Sequence, residues 1–491
     1  MQASSKEFFV LSHNIDDFDY DRPDRPEEAC GVFGIFAPGE DVSRLTYFGL
    51  YALQHRGQES AGIAVSDDRS IIIYKDMGLL TQVFKDSNLA SLQGNIAIGH
   101  VRYSTTGSTH WENAQPIYKT FKGGSLALAH NGNLVNTQEL RTELSEHGQK
   151  FRSTSDSEVI ASLIASYADE GIEDAIKETM KRLHGAYSVV VMTETRLFAM
   201  RDPHGIRPLV LGRLGEHYVI ASETCGLDIV GATYLRDVNP GELIIIDEVG
   251  MRSIQAVESN KTSLCIFEFV YFARPDTKLC NRLVYSAREA MGAELAKENP
   301  VDADLVLGVP DSGVPAAVGY SRASGIPYRE GLVKNRYVGR TFIQPTQTIR
   351  QVGIKLKLNP LREVIDGKRI VVVDDSIVRG NTSKKLIDML REAGAREIHM
   401  RISSPPVQWP CFYGIDTDTQ EQLIAANNSI DDVCKFIGAD SLGYLSLEGL
   451  VKSTEGQSEQ FCMACFDGQY PINVPEDFRV SKLMLEEEEA T

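Results

Sequence analysis

The sequence predicts two consecutive folds: an α+β half of stacked antiparallel sheets flanked by helices, then an α/β half built on a parallel sheet. Three observations predict them. The chain has 491 residues, too many for one ordinary core and enough for two large domains with a tail. From Cys30 to about residue 247, short strand-like runs dominate and only two helical stretches interrupt them. Beyond about residue 275, continuous apolar strands alternate with amphipathic helices, as in a parallel sheet covered on both faces.

Taken in order, residues 1–29 are acidic, carry Pro23 and Pro26, show no sustained periodicity and read as an irregular leader. The runs GVFGIF, SAGIAV, SIIIY, NIAIGHVRY and SLALAHNG follow as strands, with helices expected near 43–54 and 155–168. AYSVVVM, RLFAMRD, PLVLG, HYVIAS and GELIIID continue the strands. A boundary is expected at 250–275. After it come a helix at LVYSAREAMGAELAKE, a strand in ADLVLGVPDSG, a strand at RIVVVDD, a helix in SKKLIDMLREAGA starting at about Thr382 or Ser383, and a strand at EIHMRIS. The acidic LEEEEA run near the C-terminus reads as a solvated tail.

Composition narrows the class of function. Apolar residues make up 42% of the chain, as in a folded protein, and the net charge of −18 argues against nonspecific binding to nucleic acid or an anionic membrane. No run is long and apolar enough to span a bilayer, and the first 29 residues lack the basic and apolar regions of a signal peptide, so a cytoplasmic protein is expected. In that compartment the eight cysteines suggest catalysis or metal binding before disulfides.

Cys30 begins the patterned region. An α-amino group titrates near neutrality, so a cysteine at the head of a chain holds nucleophile and base together, a chemistry that requires removal of residues 1–29. QHRGQES (54–60), GHVRYSTTG (99–107), AHNGNLVN (129–136) and STSDSE (153–158) follow in order. Singly they have plain readings, an Asn-Gly turn or a capped helix start. Together, over residues 30–250, they resemble the glutaminase domain of the N-terminal-nucleophile amidotransferases. The resemblance implies Cys30 as nucleophile, and Asn131 and Gly132 as the hole for the tetrahedral oxyanion. It implies Arg102 on the glutamine α-carboxylate and Asp156 on its α-ammonium, with Arg56 and Thr105 also at the glutamine, helping to assemble the site.

In RIVVVDDSIVRGNTSKKL an apolar strand ends in two carboxylates, and a donor-rich loop leads into a helix, whose first amides suit a phosphate. The segment resembles the 5-phosphoribosyl diphosphate motif of the type I phosphoribosyltransferases. That implies Asp374 and Asp375 on the ribose hydroxyls, and Ser376, Ile377, Val378, Arg379, Gly380, Asn381 and Thr382 around the 5-phosphate. VPDSGVPAA (309–317) matches the family's diphosphate loop, placing Asp311, Ser312 and Gly313 near the diphosphate. KNRYVGRTFIQP (334–345), which opens with Lys334, matches the loop that closes over substrate and helps form an ammonia passage. A charged diphosphate needs a hard divalent cation, so one Mg2+ per subunit is expected with the substrate, near Ser312, Asp374 and Asp375.

Cys462 and Cys465 form a C-x-x-C, Cys265 opens CIFEFVYFARPD and Cys411 ends SPPVQWPC. Four thiolates suit zinc or iron and sulfur. Both halves together resemble the glutamine phosphoribosylpyrophosphate amidotransferases, and a propeptide-bearing subgroup with cysteines in these contexts binds a [4Fe-4S] cluster. The resemblance implies a homotetramer inhibited by purine nucleotides, with glutamine and 5-phosphoribosyl diphosphate as substrates. The expected domains are a propeptide at 1–29, a type 2 glutamine amidotransferase at 30–260, a phosphoribosyltransferase at 261–470 and a tail at 471–491. Cys225, Cys280 and Cys434 are expected to be plain apolar residues. Two rivals remain: another N-terminal-nucleophile amidotransferase, disfavoured by VVDDSIVRGNT and the lack of an SGGxDS loop, and a phosphoribosyl-binding regulator, disfavoured by the glutaminase motifs.

Overall fold

The structure is a computed structural model and describes residues 30–103, 110–259, 261–335, 358–415 and 419–475. The chain divides into two compact units. Among the described residues, one draws on 30–290, 410–415 and 448–475, the other on 291–409 and 419–447.

In the first unit, the strands of the two large sheets are, in order, β1 Gly31–Phe36, β2 Ser60–Ser66, β3 Ile71–Met77, β4 Ile96–Arg102, β5 Ile117–Phe121, β6 Gly124–Leu134, β7 Gly185–Met192, β8 Leu197–Arg201, β9 Val210–Leu214, β10 His217–Ala221, β11 Thr233–Asp237, β12 Glu242–Asp247 and β13 Gly250–Gln255. They form a seven-stranded sheet, β11-β9-β10-β1-β4-β2-β3, and a six-stranded sheet, β13-β12-β8-β7-β6-β5. Every neighbouring pair is antiparallel. Helix α1 is Val42–Ala52, α2 Thr137–Glu146, α3 Asp156–Tyr167 and α4 Ile172–Arg182.

Side chains alternate across each strand, and here both faces are buried. Val32, Ile98, Ala129, Val190 and Ile244 fill the space between the sheets. Phe33, Ile35, Leu50 and Ile63 form the core on the α1 side, while Val159, Leu163, Ile176, Val189 and Phe198 form the core under α3 and α4. The stacked-sheet expectation therefore holds, as layers of helix, sheet, sheet and helix.

The second unit has a four-stranded sheet, β14 Leu305–Gly308, β15 Arg369–Asp374, β16 Glu397–Ile402 and β17 Ser441–Tyr444, in spatial order and parallel throughout. Helix α5 is Val284–Glu298, α6 Gly313–Ser324 and α7 Asn381–Glu392. Ile370, Val372, Leu386, Leu390, Ile398 and Met400 form its core.

The division differs from a single cut at 260/261 with 261–470 in one domain. It falls inside α5, and the segments around 264–283, 410–415 and 448–475 belong with the stacked sheets. Leu264–Cys265 pairs in parallel with Phe461–Cys462. Phe267 stacks on Phe466 at 6.0 Å and Phe269 meets Phe461 edge-on at 6.1 Å. Burial of these rings draws the distant segments together. The leader, the tail from 476, Thr105 and most of the 334–345 loop lie outside the described residues.

Candidate functional site

Cys30 lies immediately before β1, 8% exposed, and its Sγ donates to the Tyr103 carbonyl at 3.4 Å. In the β1–β4 register Gly31 faces Val101, which sets Cys30 level with Arg102. Burial pushes the Cys30 thiol up to about 12, opposed by Arg102 and Arg207 and reinforced by Glu59 and Asp156. Such a thiol is protonated at neutral pH and needs a base. Arg102 is buried, with its Nη1 3.7 Å from Glu59 Oε2.

Asp156 opens α3. Its Oδ2 accepts from the Leu134 amide at 3.1 Å, and its Oδ1 lies 3.5 Å from His130 Nδ1. Burial raises its pKa, but His130 and the Leu134 amide outweigh that and hold the carboxyl below its usual range. The plain reading of STSDSE is realised as well. Ser155 caps the helix by accepting from the Ser157 amide, and Glu158 accepts from the Arg152 and Ser153 amides.

Asn131 and Gly132 sit on β6, opposite Ser188 and Tyr187. The Asn131 side chain is fully buried, and neither its Oδ1 nor its Nδ2 has a partner among the described residues. Gly132 has φ +151°, and a Cβ there would lie 2.0 Å from the Ala186 carbonyl oxygen. Glycine is required at this position. His100, on β4, donates from Nε2 to the His130 carbonyl at 3.0 Å and so ties the two sheets together beside Asn131.

Arg56, expected at the glutamine, instead turns its buried guanidinium to two buried carboxylates. Nε donates to Glu223 Oε1, and Nη2 and Nη1 donate to Glu268 at 2.5 and 3.4 Å. Burial would lower its pKa, but Glu223 and Glu268 hold it raised. Glu268 also takes Arg207 Nη1 at 3.2 Å. Arg207 and Glu268 were not among the residues expected from sequence. Arg207 lies in RDPHGIRPLV, which reads as loop between strands, and Glu268 lies in the CIFEFVYFARPD run, which reads as context for Cys265.

Cys265, Cys411, Cys462 and Cys465 come together in this unit, and none forms a disulfide. Cys265 and Cys462 are register partners, and Cys411 Sγ accepts from the Tyr413 amide at 3.4 Å. Burial pushes the Cys265 thiol up to about 12 and those of Cys462 and Cys465 well up, and each thiol bears the charge of others in the set. Among the described residues, no three His, Cys, Asp or Glu side chains converge as ligands of a single metal ion. Of the three remaining cysteines, Cys225 is buried and Cys434 partly so, but Cys280 is exposed in a turn, which departs from an apolar core role.

In the second unit, β15 ends at Asp374 and the loop runs to α7 at Asn381, one residue before the expected start. Asp374 and Asp375 are buried. The Asp375 carboxylate accepts from Ser312 Oγ at 2.5 Å and from Ser376 Oγ at 2.6 Å, so the two expected loops meet at this residue. The side chains of Ile377 and Val378 are buried, leaving their backbone to line the loop. Arg379 donates to Gln422 at 2.9 Å. Gly380 caps α7, in whose first turn Thr382 lies. Gly313 opens α6, and Lys334 pairs with Asp311. This is a strand end and helix start suited to an anionic sugar ligand.

Comparisons with known proteins agree with both units. A profile described as glutamine amidotransferase domain matches residues 100–228, and one described as phosphoribosyl transferase domain matches 277–403. The amidophosphoribosyltransferase of Synechococcus elongatus is 57% identical, with 97% of this chain and 98% of that relative covered. The same-named protein of Bacillus subtilis is 50% identical, covering 92% and 95%. A solved structure described as the allosteric regulatory enzyme of purine biosynthesis superposes with a TM-score of 0.87 at 50% identity, covering 91% of this chain and 97% of that one. Another, glutamine phosphoribosylpyrophosphate amidotransferase from B. subtilis complexed with ADP and GMP, also gives 0.87, at 49% identity, covering 92% and 100%.

Proposed function

The chain belongs to the amidophosphoribosyltransferase family, and on that premise we propose that Cys30, once it heads a processed chain, is the nucleophile that frees ammonia from glutamine. The protein is a glutamine-dependent enzyme of purine biosynthesis that aminates 5-phosphoribosyl diphosphate. The observation that carries the proposal is the buried, unpartnered Asn131 amide in the unit that holds Cys30, Arg102 and Asp156.

The α-amino group of Cys30 takes the thiol proton, and the thiolate adds to the glutamine carboxamide carbon. Asn131 Nδ2 and the Gly132 amide donate to the oxyanion. The proton passes to the leaving nitrogen, ammonia departs, and water splits the thioester to glutamate and free thiol. Arg102 and Asp156 fix the α-carboxylate and α-ammonium of glutamine, and Arg56 braces the fold through Glu223 and Glu268. Ammonia then displaces diphosphate at C1 of the sugar, giving 5-phosphoribosylamine. Asp374 and Asp375 hold the ribose hydroxyls, and residues 376–382 hold the 5-phosphate.

Ser312, Asp374 and Asp375 offer the hard oxygen atoms that Mg2+ prefers, and the ion, when bound, neutralises diphosphate charge. Four cysteines, three of them buried and Cys465 partly so, lie close enough to bear one another's charge, and four thiolates are the ligand set of a [4Fe-4S] cluster. Such a cluster supplies a cross-link between distant segments, and Arg207 offsets thiolate charge beside it. Removal of the leader, a homotetramer, inhibition by purine nucleotides and a cytoplasmic location belong to the same reading.

Cys30→Ala tests it. The variant should lose glutamine hydrolysis and keep amination from supplied ammonia. Undiminished glutamine hydrolysis would overturn the mechanism.

A further inference from the structure

The loop before β9 is locked. Asp202 accepts from the His204 amide at 2.9 Å and the Ile206 amide at 3.1 Å. The Arg201 guanidinium donates to the carbonyls of Arg207 and Gly205, both at 2.8 Å, and of Val238 at 2.6 Å. From this fixed backbone the fully buried Arg207 side chain donates through Nε to the Tyr413 carbonyl at 3.1 Å and through Nη1 to Glu268 at 3.2 Å.

Residues 411–414, the strap that begins at Cys411, have no helix or strand of their own. They are gripped from a second direction by Asn133, whose Nδ2 donates to the Phe412 carbonyl at 2.9 Å. Gly414 closes the contact. Its φ is +102°, and a Cβ there would lie 3.1 Å from the Gly132 carbonyl carbon and 3.2 Å from Arg207 Nη2. The strap therefore lies directly on the strand that carries Asn131 and Gly132, with Arg207 and Asn133 as its clamps.

We propose that Arg207 is a positioning residue for glutamine hydrolysis, pressing the strap of residues 411–414 against the Asn131–Asn133 stretch so that the oxyanion donors keep their geometry. The inference rests on the reading of Cys30 as nucleophile. Preorganised donors act only if they are already aimed when charge develops. A strand free to shift loses that aim, whereas Arg102 is held on β4 and Asp156 sits at the capped start of α3, so the loss falls more on kcat than on KM.

The test compares Arg207→Met, Asn133→Ala and Gly414→Ala with Cys30→Ala and the parent enzyme. Glutamine kcat and KM, ammonia-dependent amination and amide hydrogen exchange over residues 130–134 are measured. Arg207→Met should lower glutamine kcat by about tenfold to hundredfold, change KM less than threefold, keep ammonia-dependent amination and speed exchange at 130–134. Arg207→Lys, which keeps the charge, should recover part of the rate. Should Arg207→Met not fold, the other two clamp variants carry the test and must show the same fall in kcat with faster exchange. Parental kcat, or a loss confined to KM, in the clamp variants that fold overturns the role of the strap. Hydrolysis by Cys30→Ala at the parental rate would instead remove the reading beneath it.

Discussion

Burying a polar group without a partner costs about 1–3 kcal/mol, and Asn131 has both polar atoms of its side chain in that state. A fold keeps such a residue when the partner arrives with the reaction. Asn131→Ala should therefore leave the thermal midpoint unchanged or raised while lowering glutamine kcat by about 10²–10³-fold. Unfolding scans and steady-state kinetics on one preparation check both halves, and an unchanged kcat would reject the oxyanion role. At this scale the sequence singles out short runs dense in polar groups, and the structure buries Asn131, Asp374 and Asp375 within them. The sequence is silent on Arg207 and Glu268, which pair across sixty residues of chain, because no local pattern records a long-range ion pair. Arg56 shows the complementary failure: its motif marked it as important, and its partners Glu223 and Glu268 could not be read from that motif.

Among the elements, β4 carries a pH-sensitive tie through His100. Burial pushes this imidazole down to about 3 from its usual value near 6.5, so it stays neutral in the fold while the unfolded chain takes up a proton. The stability it permits is present above about 6.5 and falls as pH drops towards 3. His100→Gln should flatten the slope of stability against pH between about 6.5 and 5. Denaturant titrations across that interval measure it, and equal slopes in both proteins would reject the claim. The inner strands were legible because long apolar runs admit few other structures, and β15 with its acidic end was the clearest. Strands β5, β11 and β13 leave no clear pattern in the sequence, since each alternates or exposes its side chains and owes its shape to one neighbouring strand. Helix α4 leaves only a weak signal in the sequence, although Ala175, Ile176, Thr179 and Met180 lie at helical spacing. Its apolar face is short and in part small, and burial under the sheet completes it.

Across the whole chain, sequence pattern distinguished the two kinds of fold but not the segments that make up each unit. A division by pattern follows neighbours in sequence, whereas the first unit recruits residues 410–415 and 448–475 through contacts that only the folded chain makes. The cysteines are the one hint in the sequence, since the shared ligand expected of them would require shared space. Protein purified without oxygen should therefore contain about four iron and four sulfide per chain, and its mass should lack residues 1–29. A colourless zinc protein, or a mass including the leader, would reject the corresponding part. The pairing of Cys265 with Cys462 also has a consequence in time. At about 5–20 residues per second of synthesis, the second strand emerges roughly 10–40 seconds after the first. Throughout that interval Leu264–Cys265 waits without the strand it pairs with, which leaves Cys265 open to oxidants. Oxygen exposure during synthesis should thus do damage that the same exposure of finished protein does not.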